Sequence, residues 1–449
     1  MTLPLIVIAA LSMAPKALAA PVVEAESWSL DLAGDVKSFT FTAFPYEWSL
    51  VPDEDLQAFG MEPTPLMPED PMAQGALDGR IKAVLEVGDA FSLTAHARSA
   101  ASYYSQALEA GAISLGSGGG GYAQVVDMSW EPVDAPNYMV EGRMDRLAAK
   151  ISIPHLDITL GRQPVSFGSS WIFTPMDLVA PFSPTDIDTE YRPGVDAARV
   201  DAYFGMAGSV TAVAAYAGDW SLDGTVLAMH GGWTFGITDV GIMAAANRAE
   251  PVFGVDVASS MGAVGIQGEA TVTLPESEDP FVRAALGANW MPFEDVSLMG
   301  ELYWQSFGGA DASEYLAVYS TERFANGEVW TAGRYYAALT VGYQITPLLS
   351  ASAFGVVNLG DPSAMIGPSL AWSAAENAEL SVGAFFGAGE RPHDVAIGLA
   401  DMQREDGTWI TDEDEAAQAL EDVMAERTDV GSEFGMIPTV AFAQIKLYF

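Results

Sequence analysis

One pattern constrains this chain above all others: apolar and polar side chains take turns along segment after segment. Phe91, Leu93, Ala95 and Ala97 interleave with Ser92, Thr94, His96 and Arg98. Leu147, Ala149, Ile151 and Ile153 interleave with Ala148, Lys150 and Ser152. Val264, Ile266, Ala270 and Val272 oppose Gln267, Glu269, Thr271 and Thr273, and Leu302 and Trp304 oppose Glu301, Tyr303 and Gln305. A strand sends successive side chains to opposite faces, so each segment has one apolar face and one polar, often charged, face. Eighteen such segments are predicted, over 27–44, 76–88, 90–105, 143–154, 155–163, 194–205, 208–217, 222–235, 238–248, 251–258, 261–274, 280–291, 295–306, 332–345, 347–357, 364–374, 378–388 and 434–449.

The connections sort by length. Gly88-Asp89, Pro154-His155, Gly205 to Gly208 and Thr346-Pro347 form short turns at one end of the strands, while loops at 45–75, 106–142, 164–193, 307–331 and 389–433 leave the other. Short turns on one side and long loops on the other are the signature of a membrane β-barrel, and a soluble sandwich has no reason to sort them. Each segment is long enough to cross a bilayer as a tilted strand. After the N-terminus, every apolar run is broken by Asp, Arg, Ser or Gly well before the roughly 20 residues that a membrane helix needs. The expected fold is therefore all-β: a transmembrane, antiparallel, up-and-down β-barrel of about eighteen strands, with sixteen as the alternative. Trp28, Trp233, Trp290, Trp304 and Trp372 fall near strand ends on the apolar face, where a barrel carries aromatic girdles, although core tryptophans would read the same way.

Residues 3–13 are apolar and lead to Ala17-Leu18-Ala19, so residues 1–19 read as a secretory signal and 20–449 as one barrel domain. The signal is atypical, with no basic residue ahead of the apolar run and Lys16 near the cut; a buried N-terminal helix is the bland alternative. The formal charge is −41, from 60 acidic against 19 basic residues. That balance argues against nucleic acid, whose phosphates require a basic surface. An aromatic content of 10% argues against disorder. The absence of cysteine removes disulfides, thiolate metal sites and cysteine nucleophiles.

The polar faces carry ions. Asp31, Arg80, Lys82, Glu86, His96, Arg98, Arg146, Lys150, Asp157, Arg199, Asp201, Arg283, Glu301, Arg334 and Lys446 are all predicted inward. Ions facing lipid would cost several kcal/mol at the bilayer centre, so the inside must be wet or plugged. Eight strands fill their own lumen, whereas sixteen to eighteen leave an aqueous one. The third outside loop, Gln163 to Pro193, is rich in Pro, Gly and aromatics and carries Asp177, Asp186, Asp188 and Glu190. If it folds inward, these acids face Arg80, Lys82, Arg98, Arg146, Lys150 and Arg199 on the wall, and the opposed rows make a transverse field at a constriction. Alternatively, the charges only pair and hold the loop. The expected function is passive diffusion of ions and small hydrophilic solutes.

Three resemblances accompany this reading. The terminal strand, with Ala441, Ala443, Ile445, Leu447 and the final Phe449 in alternation, resembles the C-terminal signature of bacterial outer-membrane proteins, which implies recognition by the barrel-assembly machinery. The loop from Ser166 to Arg192 resembles, by position and chemistry, the infolded third loop of general porins. Gly161-Arg162-Gln163 and Tyr191-Arg192-Pro193-Gly194-Val195-Asp196 are similar to the matching stretch of proteobacterial porins, including alginate-export-like channels; this covers about a tenth of the chain. Together they imply a Gram-negative outer-membrane porin in contact with outer-membrane lipid and lipopolysaccharide, with a homotrimer as the assembly that such size suggests.

Other features stay subsidiary. Loop 389–433 holds Thr411, able to cap a short amphipathic helix built on Leu420, Val423 and Met424. Its acids, with Asp53, Glu54, Asp55, Glu62, Glu69 and Asp70, offer carboxylates to Ca²⁺, or simply a solvated surface. No other cofactor is expected. Gly118 to Gly121 is not followed by Gly-Lys-Ser/Thr, so it is loop slack rather than a phosphate loop. No catalytic residue is expected, since His96, His155, His230 and His393 lie in no recognisable motif. The competing classes are an adhesive or structural barrel, an outer-membrane hydrolase, and a transporter with an N-terminal plug.

Overall fold

The computed structural model describes residues 23–25, 27–105, 123–179, 190–404, 407–410 and 412–449. The proposed signal, the run Gly118 to Gly121, Asp186, Asp188 and Thr411 lie outside these residues.

Eighteen strands make the wall. In chain order they are β1 Trp28–Phe44, β2 Met72–Val87, β3 Phe91–Tyr104, β4 Tyr138–Ile153, β5 Leu156–Gln163, β6 Val195–Phe204, β7 Gly208–Tyr216, β8 Thr225–Phe235, β9 Thr238–Asn247, β10 Glu250–Met261, β11 Val264–Thr273, β12 Phe281–Phe293, β13 Val296–Gln305, β14 Tyr335–Thr346, β15 Leu349–Asn358, β16 Ser363–Ala375, β17 Ala378–Ala388 and β18 Thr439–Tyr448. Each pairs antiparallel with its chain neighbours. β18 pairs with β1 from Phe44↔Thr439 to Asp35↔Tyr448, which closes the ring. Closure leaves no strand edge among them, the condition for placing a sheet in lipid.

The two faces differ as the alternation predicts. On β13, Glu301 is 2% exposed and Leu302 56%. On β12, Arg283 is buried while Leu286 and Trp290 stand on the outside. Exposed aromatics gather at both ends of the outer face: Trp28, Phe91, Trp233, Trp290 and Trp372 at one, Phe44, Tyr103, Tyr138, Trp304 and Tyr335 at the other. An apolar belt between aromatic rings is the outside of a membrane barrel. No described helix is long and apolar enough to cross a membrane, and none is needed.

The inter-strand turns obey the same sorting. Strands β8 and β9 are joined by Gly236-Ile237, and β10 and β11 by Gly262-Ala263; both glycines sit at φ +67°, which a side chain resists. The outside connections L1 (45–71), L2 (105–137), L3 (164–194), L7 (306–334) and L9 (389–438) are long. L5 departs from the trend, being the pair Arg248-Ala249, both left-handed at φ +49° and +69°. In L9 the helix Glu413–Arg427 starts where the Asp412 carboxylate accepts from the Glu415 N–H at 3.2 Å. Its buried Val423 packs with Leu50 and Leu56 of L1 and with Val395 and Ile397, so the helix lies on the outer loops.

The closing seam depends on one small residue. Gly34 of β1 exchanges both backbone hydrogen bonds with Phe449, at 2.7 and 2.9 Å. A Cβ at position 34 would lie 2.4 Å from the Phe449 ring and 2.7 Å from the Arg80 carbonyl. Gly34→Leu is therefore expected to cost about 1–3 kcal/mol by overpacking. A urea titration in lipid vesicles checks this through a lowered unfolding midpoint; an unchanged midpoint would contradict it.

Candidate functional site

The polar wall of β1 to β4 is a densely charged surface. On β2, inward parity selects Asp78, Arg80 and Lys82; on β1 it selects Asp35 and Lys37, both buried. On β3 it selects His96 and Arg98. β4 adds something that period-2 reading misses. His96 pairs with Arg146 and Ala97 with Met144, so Asp145 is the extra residue of a β-bulge. The bulge resets the alternation, and Arg143, Asp145 and Arg146 all reach the inner side. Asp145, 5% exposed, becomes the hub: Arg143 Nε donates to it at 2.7 Å and Arg80 forms an ion pair with it. Arg98 pairs with Asp78, and Lys82 with Asp35 at 2.8 Å.

L3 meets this wall at its C-terminal end. The Glu190 carboxylate lies 2.9 Å from Lys37 Nζ and 3.3 Å from Lys446 Nζ. Burial works to raise the Glu190 carboxyl, but the two lysines outweigh it and hold the group below its ordinary value. The Tyr191 ring lies among cations, its centre 4.3 Å from both Arg80 and Lys82 and 5.2 Å from Lys37. Lys82 also donates to its hydroxyl. Burial pushes the Tyr191 phenol up to about 12, so it is neutral at physiological pH. Arg146 Nη2 donates to the Arg192 carbonyl at 3.1 Å.

The other end of L3 is tied to the opposite wall. Glu301 of β13 accepts the N–H groups of Phe173 at 2.6 Å and Trp171 at 3.1 Å. Glu269 of β11 accepts those of Ser170 and, at 3.1 Å, Met176. Arg283 of β12 donates to the Pro175 carbonyl at 3.0 Å. Phe173 stacks on Tyr303 with ring centres 4.6 Å apart. Val165, Phe167 and Met176 pack on the buried inward residues Val213, Val226 and Met243. The described part of L3 thus contacts inward residues of β6 to β14 at one end and of β1, β2, β4 and β18 at the other.

The residues singled out from sequence divide into three groups. Arg80, Lys82, Arg146 and Glu190 come together around Tyr191, with Arg98 adjoining through Asp78 on the same wall. Asp177 does not face the basic wall; it pairs with Arg192 at 2.8 Å and accepts from Ser166 Oγ and the Phe167 N–H, which closes the loop on itself. Lys150 and Arg199 are apart from the loop contacts, Lys150 paired with Asp157 of the adjacent β5 at 2.7 Å and Arg199 with Asp201 of its own strand at 2.8 Å. Sequence reasoning left Lys37, Arg143, Asp145 and Tyr191 out of the site. For Lys37 and Tyr191 the signal was available: one has inward parity beside Asp35, the other follows Glu190. His230 and Asp256 form a lumenal pair at 2.7 Å, and no hydroxyl among the described residues hydrogen-bonds to that histidine.

A second junction joins the outer loops. Glu433 of L9, 4% exposed, accepts from the Tyr336 hydroxyl, from the Ala332 N–H at 2.7 Å and from Asn358 Nδ2 at 2.7 Å. Burial dominates these bonds and raises its carboxyl to about 7, against 4.5 in water. A raised carboxylate favours the buried, protonated form, so the junction is firmest at or below pH 4.5 and weakens as pH rises towards 7. Amide exchange at 430–436, corrected for the intrinsic rate, is expected to be faster at pH 8 than at pH 5; equal corrected rates would contradict this.

No protein-family model matches the sequence, nor does any curated protein. Solved structures do resemble it. OccK8 (OprE) of Pseudomonas aeruginosa aligns over 94% of this chain and 98% of its own, with TM-score 0.51 and 6% identity. OccAB1 of Acinetobacter baumannii aligns over 94% and 96%, with TM-score 0.49 and 8% identity. The outer membrane channel DcaP of Acinetobacter baumannii aligns over 96% and 100%, with TM-score 0.44 and 11% identity. At such identities the likeness is one of architecture, and it agrees with the wall described above: the chain has the closed eighteen-stranded barrel fold of bacterial outer-membrane porins.

Proposed function

We propose that the protein is a passive outer-membrane channel for ions and small hydrophilic solutes, narrowed by its third outside loop. The observation that carries this is the polar, ionised inner face of an eighteen-stranded ring. Rings of sixteen to eighteen strands leave an aqueous lumen. L3 supports the narrowing, because its two ends contact walls on different sides of the ring. The local charge at its C-terminal end is opposite in sign to that of the whole chain. Lys37, Arg80, Lys82, Arg98, Arg143, Arg146 and Lys446 are seven bases set against the six acids Asp35, Asp78, Glu141, Asp145, Glu190 and Glu379. A solute at this wall meets a positive field, whatever the acids of the outer loops contribute at a distance screened by salt.

Proteoliposome swelling tests the reading. Vesicles carrying the protein are expected to swell in small sugars and amino acids at rates that fall with solute size; swelling no faster than in protein-free vesicles would overturn it. The charge argument has its own check. Replacing Lys37, Lys82 and Lys446 together by Gln is expected to raise the cation-to-anion permeability ratio about threefold, read as a reversal potential in asymmetric salt. An unmoved reversal potential would remove this wall from the narrow part of the path.

A further inference from the structure

A cavity of about 420 Å³ opens at the outer end of the inner wall, some distance round the ring from the basic cluster. Its floor is apolar, built from the buried Val195 of β6 and Val226 of β8 with Leu178 of L3. Its rim is polar: Asn247 and Arg248 from the end of β9 and L5, and Glu328 and Trp330 from L7. Several of these polar groups lack a partner. Asn247 is 5% exposed, and its side-chain amide makes no hydrogen bond among the described residues. The Trp330 indole N–H and Glu328 Oε1 are buried and equally without one, while the other Glu328 oxygen is held by Arg323 at 3.1 Å. Buried polar groups are nearly always hydrogen-bonded, and those that are not need an explanation.

The chemistry of the leftover groups is specific. One is a pure donor, one a pure acceptor, and the amide is both. The ionised groups around them carry no excess of positive charge: Arg323 is shared among the carboxylates of Glu250, Glu278 and Glu328, and Arg248 donates to the Ala217 carbonyl at 3.0 Å. Such a rim over an apolar floor suits a molecule whose hydroxyls both donate and accept and whose C–H groups can rest below. We propose that this cavity binds a small neutral polyol or monosaccharide at the outer mouth of the barrel. A carboxylate solute is disfavoured, because Glu328 would face it. Binding here does not require conduction, so the inference stands or falls separately from the channel reading.

Saturation-transfer NMR on the detergent-solubilised full chain tests it, with mannitol and glucose as probes and gluconate as the charged control. Transfer to mannitol or glucose is expected at millimolar concentration, and weaker transfer to gluconate. Asn247→Leu and Trp330→Phe are each expected to weaken polyol binding at least about fivefold. Both variants are first checked for the heat-modifiable band of a folded barrel. Weakening in either folded variant supports the site. No transfer to either polyol, equal transfer to gluconate, or unchanged binding in both variants would overturn it, the first leaving the orphan groups to water alone.

Discussion

Replacing Glu269 and Glu301 together by alanine is expected to turn a steady channel into a fluctuating one. These two buried carboxylates accept backbone N–H groups of Ser170, Trp171, Phe173 and Met176. Hydrogen bonds to a charged group contribute about 1.5–3 kcal/mol each, and leaving the amides unpaired adds a desolvation penalty. The loss is local, because the ladders of β11 and β13 do not involve the two side chains. The barrel should still form, while residues 168–176 leave the wall and sample the lumen. Single-channel records of the double variant should show several conductance levels and greater open-channel noise, with Glu269→Gln/Glu301→Gln between it and the parent. A double alanine variant as quiet as the parent would mean that L3 is held elsewhere.

The second large effect concerns the outer face. Leu286 lies near the middle of β12, 56% exposed on the apolar belt, and Leu286→Arg is expected to cost about 2–4 kcal/mol at the bilayer midplane. Arg283, on the opposite face of the same strand, carries its charge inside, where the carbonyls of Glu328 and Pro175 accept from it at 2.5 and 3.0 Å. The same residue type is thus tolerated on one face and damaging on the other. The folded fraction on gel and the urea midpoint in vesicles should both fall for Leu286→Arg, while Leu286→Ala changes them little. A stable Leu286→Arg barrel would contradict the lipid assignment of this face.

The wall was readable from sequence because a strand is the simplest code, one bit per residue. Each of the eighteen predicted segments overlaps one wall strand, and the inward Glu301, Tyr303 and Gln305 were assigned by parity alone. What parity cannot show is a slip within a strand. The bulge at Asp145 places two adjacent side chains on one side, so the hub of the basic wall stayed hidden, although Arg146 beside it was named. Loops follow no period, and their contacts depend on which residues a distant turn brings near. Asp177 looked like an acid for the wall and instead meets Arg192 fifteen residues on in its own loop. The Asn247 cavity was equally invisible, since its rim joins residues from L5 and L7.

The most direct test is electrical. Full-length protein, purified in detergent and shown to be heat-modifiable, is added to a planar lipid bilayer bathed in salt. An eighteen-stranded ring with water and ions inside predicts discrete upward current steps of uniform size that scale with voltage and salt concentration. Well-folded protein that inserts and yet passes no current would contradict it, and would make the interior a filled one.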